Sequence, residues 1–143
     1  MSDRLPSDHA AVESHRVHLD RVGRTSRPRV PVPAAVDVAV GDVIRVSLEG
    51  TSYHAQIAEA LDGTPDIRGA FDNARLARTP GEGDDHFQPW TESVGLGVGD
   101  PVLVDVVTPG YKLGIRRPGE RVVYDATDAP SSSLSDIARD LDG

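Results

Sequence analysis

The residue type in this chain best suited to recognition chemistry is arginine, and it comes in clusters. Arg16, Arg21, Arg24, Arg27 and Arg29 fall within residues 14–29, with His15 and His18 among them. Asp20 is the only acid there, so the segment carries +4 in a protein of net charge −8. A guanidinium presents a planar fork of donors that matches phosphate oxygens, and a basic stretch in an acidic chain points to a polyanionic partner. The competing reading is a solvated face on which these arginines meet acids of the same surface. A second set, Arg68, Arg75 and Arg78, is interleaved with Phe71 and Asn73 in DIRGAFDNARLAR. Aromatic, amide and guanidinium groups together suit a base or its backbone; alternatively Phe71 and Ile67 are core and Arg75 braces a turn. A third set, Lys112, Arg116, Arg117 and Arg121, brackets the hairpin pattern YKLGIRRPGERVVY, where tips carry contacts or simply form a polar surface.

Catalytic signals are thinner. GEGDDH (81–86) crowds Glu82, Asp84, Asp85 and His86, a donor set for a hard cation, but its spacing fits no EF-hand and reads as an acidic loop. His15 and His18 would chelate from one face of a helix, with no third ligand in view. Ser131–Ser133 lacks a nucleophile-elbow context. GLGVGD has Asp100 where a dinucleotide fingerprint needs its last glycine, and a strand follows where a helix is needed. No enzyme, no cofactor and no metal site is expected.

These side chains need elements to carry them. In residues 8–22, Val12, Leu19 and Val22 form a helical stripe with Ser7 as a candidate cap, while Val17 and Leu19 alternate as in a strand from about 16 to 22; both remain open. RVPVP (29–33) alternates as an edge strand. VIRVSL, the turn EGT and SYHAQIA form a hairpin pattern. DIRG begins a short strand followed by a turn or one helical turn. QPWTESVG suits a short helix with Pro89 in its first position and Gly95 ending it. PVLVDVV, YKLGIR and ERVVYDA read as three more strands. DAPSSS is a linker, and SLSDIARDLDG a two-turn helix capped by Ser133, with Leu134, Ile137, Ala138 and Leu141 on one side. About seven short strands at regular spacing argue for a small barrel or sandwich.

One pattern is written twice. Val36, Val38, Val40, Gly41, Asp42 and Val46 align with Val94, Leu96, Val98, Gly99, Asp100 and Val104 at a constant offset of 58. Each copy reads as a turn entering a strand, with glycine supplying an unusual backbone conformation and the carboxylate accepting from the turn's own N–H groups. The repeat implies pseudo-twofold packing of two β-units, with Asp42 and Asp100 in structural roles. The pattern V-x-V-G-D-h-h-x-V resembles the Gly-Asp box of cradle-loop barrels, which include double-psi barrels such as the N-terminal lobe of Cdc48-type ATPases and swapped-hairpin AbrB-type regulators. Residues 29–50 resemble the AbrB-type half, and IRGAFDNARL with VGLGVGDPVLVDVV resembles the second half of a double-psi lobe. WTESVGLGVGDPVLVDV is also similar to the DNA-binding pseudobarrel of plant B3 domains. The segment 59–93 is longer and more acidic than an AbrB half carries, which favours a single-chain barrel. As a whole, the chain resembles a haloarchaeal family built on a domain of unknown function, which implies no activity.

Bulk composition sets the outer bounds. The chain has 143 residues and no cysteine, which suits one domain with a core of its own and excludes disulfides, thiolate zinc sites and cysteine nucleophiles. Of the 23 acids, 17 are Asp, and of the 15 basic residues 14 are Arg, the balance of a protein from a high-salt cytoplasm or, alternatively, of an acidic protein from a GC-rich genome. The first residues lack a signal-peptide pattern, and no apolar run approaches the ~18 residues that span a bilayer. The expectation is therefore a mainly β, single-domain, pseudo-twofold barrel of cradle-loop, double-psi or pseudobarrel type, cytoplasmic and not membrane-bound, monomeric or homodimeric. Residues 1–28 would be an arginine-bearing segment, 29–125 the barrel, and 126–143 a linker and short helix. Its expected role is non-catalytic binding of nucleic acid, DNA foremost, through Arg24, Arg27, Arg29, Arg68, Arg75 and Arg78. The rival is a protein-interaction adaptor, as the Cdc48-type resemblance implies, needing an exposed apolar groove.

Overall fold

Residues 8–22 are where two periodicities compete, and in the computed structural model the period of two wins. The structure describes residues 4–9, 12–25 and 27–125. After a short strand β1 (Arg4–Pro6), the chain forms β2 (Glu13–His18) and β3 (Asp20–Arg21), broken only at Leu19. The helical stripe loses because β2 has a partner: all six of its residues register against a strand running from 101 to 108. Tertiary pairing of this kind overrides a local apolar stripe. Ser7 caps no helix; its hydroxyl accepts from Val122 N (2.9 Å) and its N–H donates to Val122 O (2.7 Å).

The remaining elements are β4 (Pro28–Pro31), β5 (Val43–Leu48), β6 (Thr51–Gln56), β7 (Ala58–Glu59) and β8 (Pro65–Ile67), then α1 (Ala74–Arg78) and a 3-10 turn (Pro80–Glu82). They continue with α2 (Phe87–Ser93), β9 (Pro101–Thr108), β10 (Lys112–Arg116) and β11 (Val123–Asp125). The helix expected over 133–143 lies outside the described residues. Helix α2 starts two residues before the expected Pro89, because the Asp85 carboxylate accepts from Phe87 N (2.8 Å) and Gln88 N (3.3 Å). That cap fixes the helix start upstream of Pro89, whose missing N–H is still among those a first turn leaves unpaired.

The fold is mainly β. One sheet has the order β2-β9-β10-β5-β6, antiparallel except for the parallel pair β10–β5; a second runs β3-β4-β8-β7, and β1 pairs with β11. No sheet is closed among the described residues. β2 and β6 form the two edges of the first sheet, and their continuations β3 and β7 form the two edges of the second. Each crossing is made at one buried apolar residue, Leu19 or Ile57.

The duplicated Gly-Asp turns hold those two crossings. Gly41 N donates to Ile57 O (2.8 Å), and Asp42 O accepts from Ile57 N (2.7 Å); Gly99 N donates to Leu19 O (2.8 Å) and Leu19 N to Asp100 O (2.9 Å). Both glycines sit at closely matching positive φ (96° and 95°), a region that a Cβ disfavours. Asp42 Oδ2 accepts from Ala39 N (3.1 Å) and Asp100 Oδ2 from Gly97 N (2.8 Å). Each turn thus clamps one of the two strand breaks. Between the sheets lie Val30, Ile44, Val46, Ile67, Phe87, Val102, Val104, Leu113 and Ile115, all nearly or wholly buried. No helix among the described residues is long and apolar enough to cross a membrane.

Candidate functional site

The two hairpins β3–β4 and β7–β8 flank a cleft of about 530 Å³ whose lining includes Arg21, Arg29, Glu59, Leu61, Asp62 and Arg68. Arg29 and Arg68 come from different hairpins and meet because β4 and β8 pair antiparallel, with Val30 opposite Ile67. Between them stands Asp66, wholly buried. Arg29 Nη1 donates to Asp66 Oδ2 (2.9 Å) and Arg68 Nε to Asp66 Oδ1 (2.8 Å). Arg29 Nη2 also reaches Asp20 Oδ2 (2.8 Å), and Arg68 Nη2 reaches Glu59 O (2.9 Å). The N–H of Arg21 holds the Asp20 carboxyl below its ordinary range against an opposing effect of burial, and the Arg29 guanidinium adds to the lowering. Burial works against the charge on Arg29, but Asp66 and Asp20 outweigh it and its pKa is raised.

Arg68 also walls a second, smaller cleft of about 230 Å³, with Arg27, Gln56 and Phe71. The structure therefore brings part of the first arginine set (Arg21, Arg27, Arg29) to one region with Arg68 of the second. Arg24, Arg27 and Arg78 are exposed and form no ion pair among the described residues. Arg75 is drawn aside, its Nη1 donating to Glu82 Oε1 (2.8 Å) and tying α1 to the 3-10 turn. Phe71 is buried and Asn73 caps α1, its Oδ1 accepting from Leu76 N (2.9 Å).

The third set does not gather into a site. Arg117 pairs with Glu120 and Arg121 with Asp8, while Lys112 is buried. Arg116 Nε donates to Asp105 Oδ2 (2.7 Å), and that wholly buried carboxylate also accepts from Ser14 Oγ (2.5 Å) and Tyr124 Oη (2.5 Å). Burial first, then Asp105, push the Tyr124 hydroxyl far above its ordinary value.

The motifs with metal-like composition are used otherwise. His15 and His18 stand three residues apart on a strand and so face opposite sides; His15 pairs with Glu13. In the 81–86 loop, Asp85 is a helix cap that also accepts from Ala70 N (2.9 Å), and His86 stacks on Tyr53 with ring centroids 4.7 Å apart. No group of metal-ligating side chains converges among the described residues. Sequence reasoning missed Asp66 and Asp105, the two carboxylates that organise the arginines; the signal for them was a charged residue inside DIR and VDVV, each a strand pattern with apolar neighbours.

A family model described as a family of unknown function (DUF7112) matches residues 1–141. The chain belongs to that family. No curated protein and no solved structure matches it.

Proposed function

We propose that this member of the family is a non-catalytic β-module that binds nucleic acid, DNA foremost, through the region where the two hairpins meet. The observation that carries the reading is the cleft shared by Arg27, Arg68, Phe71 and Gln56, continuous through Arg68 with Arg21 and Arg29. Arg24, Arg27 and Arg78, exposed and outside the ion pairs, make the direct phosphate contacts. Arg29 and Arg68, tied to Asp66, set the geometry and offer their remaining N–H groups. Arg75, held by Glu82, contributes least.

The test is fluorescence anisotropy of labelled duplex DNA, single-stranded DNA and RNA from low to molar KCl. The Arg24→Glu/Arg27→Glu protein is the comparison. Each arginine–phosphate pair removed should lower the slope of log affinity against log salt by ~1, so this double variant should lower it by ~2. No binding by the folded protein at any salt would end this reading.

A second reading, a protein-interaction adaptor, is favoured by a groove of about 550 Å³ lined largely by Val17, Pro31, Val32, Pro33 and Pro65. The paired Gly-Asp clamps support assignment of the fold to the cradle-loop barrels, and the aspartate and arginine bias supports a halophilic archaeal cytoplasm as its setting.

A further inference from the structure

A different cleft, of about 330 Å³, lies between the tip of the β5–β6 hairpin and helix α2, where Glu49, Thr51, Tyr53, His86 and Trp90 line it. Three independent features converge there. Glu49 is the one described non-glycine residue at positive φ, +52°. It fills the first position of a two-residue turn, Glu49-Gly50, between the paired residues Leu48 and Thr51. Asparagine, aspartate or glycine suits that position better, so glutamate is held there at a conformational cost, and such strain collects at binding sites.

Second, a buried donor on the cleft wall is without a hydrogen-bond partner. Trp90 is only 6% exposed, yet its indole Nε1 has no hydrogen-bond partner. His86 Nε2 stands 2.9 Å from Asp72 Oδ1 but out of line for a hydrogen bond. Buried N–H groups are normally satisfied. Third, the charge is one-sided. Glu49 is the only carboxylate in the lining, and neither arginine nor lysine is present. A phosphate-bearing ligand would meet the Glu49 carboxylate and no arginine or lysine. An organic cation would meet the carboxylate together with the Tyr53 and Trp90 rings, whose faces attract positive charge.

We propose that this cleft binds a small organic ammonium ion that also carries a hydrogen-bond acceptor. Glu49 supplies the countercharge, Tyr53 supplies the ring face not stacked on His86, Trp90 supplies the aromatic floor, and the indole N–H of Trp90 is the donor for the acceptor. The site is separate from the arginine clefts, and its occupancy does not depend on nucleic-acid binding.

Trp90 is the only tryptophan in the chain, so its fluorescence and its indole N–H resonance report on this cleft alone. The probes are choline and its neutral isostere, in which carbon replaces nitrogen, titrated against the full chain. Choline should shift the Trp90 signals and bind ~5-fold or more tightly than the isostere. Glu49→Asn should weaken choline by ~2- to 5-fold while leaving the melting temperature unchanged or raised, because asparagine accepts the positive φ. Trp90 signals that ignore choline up to tens of millimolar would overturn the proposal. Equal binding of choline and isostere, or full binding by folded Glu49→Asn, would overturn it too.

Discussion

Two of the described aspartates are wholly buried, Asp66 and Asp105, and they use arginine in opposite ways. Asp105 is sealed. Its partners come from β2, β10 and β11, and Arg116, 11% exposed in its side chain, also donates to Glu120 O (2.7 Å). Asp66 lies on the floor between two hairpins, and its partners Arg29 and Arg68 line open clefts. The same chemical pair therefore works as an internal fastener in one region and as a positioning device at a surface in the other. What separates the two is Arg68, 30% exposed in its side chain; Arg29, at 13%, is covered nearly as fully as Arg116.

The largest effect should come from breaking the sealed cluster. Asp105→Ala leaves a buried guanidinium, a buried phenol and Ser14 without their acceptor, and should cost ~3–5 kcal/mol in denaturant unfolding. Next is the recess that admits Tyr124. A Cβ on Gly114 would run into the Tyr124 ring. Gly114→Ala should cost ~1–3 kcal/mol as overpacking, with Tyr124→Ala partly suppressing it in a double-mutant cycle. Additive effects would mean that the ring does not occupy that recess.

Asp66→Asn sharpens the contrast, because the open cluster can relax into its clefts. The cost should be smaller than at Asp105, ~1–2 kcal/mol, and it should come with tighter binding of polyanions, since two arginines are released. If Asp66→Asn is as damaging as Asp105→Ala and leaves polyanion affinity unchanged, the two clusters are equivalent and the surface role of Asp66 fails.

The Gly-Asp turns were legible in the sequence for a local reason: glycine at positive φ and an aspartate bonding to a nearby N–H are both set within four residues. Asp42→Ala and Asp100→Ala should therefore each cost ~1 kcal/mol, at matching values, without altering ligand binding. The β5–β6 hairpin was legible in the same way. Asp105 was not. In β9, Val104 and Asp105 are both buried in succession, so alternation breaks where Tyr124 covers the second face, and that cover arrives from nineteen residues away. The strand at 13–18 was only half legible, one of two readings left open, for a similar reason: its pairing with β9 spans most of the chain. Which arginines share a region depended on the antiparallel register of β4 and β8, information that no single segment carries.

At neutral pH the least visible effects are those that separate the two clusters by pH. Asp20, attached to the open cluster, has its folded pKa below the ordinary 3.8. The unfolded chain then binds the proton first, so this contribution is present above the unfolded pKa and is lost as pH falls through the folded one. Asp20 is half exposed, so the loss should be slight and weakened by salt. Tyr124, in the sealed cluster, is shifted the other way, above its ordinary 10.0. Above pH ~10 the unfolded chain releases this proton and the folded one keeps it, so stability is intact below that point and falls with further rise, by ~1.4 kcal/mol per pH unit while the folded group stays protonated. Asp20→Asn should flatten only the acid limb of stability against pH, and Tyr124→Phe only the alkaline limb. The alkaline limb should hardly respond to salt, because its groups are out of water. If Tyr124→Phe leaves the alkaline limb unchanged, the phenol ionises as freely folded as unfolded, and the Asp105 cluster is not sealed.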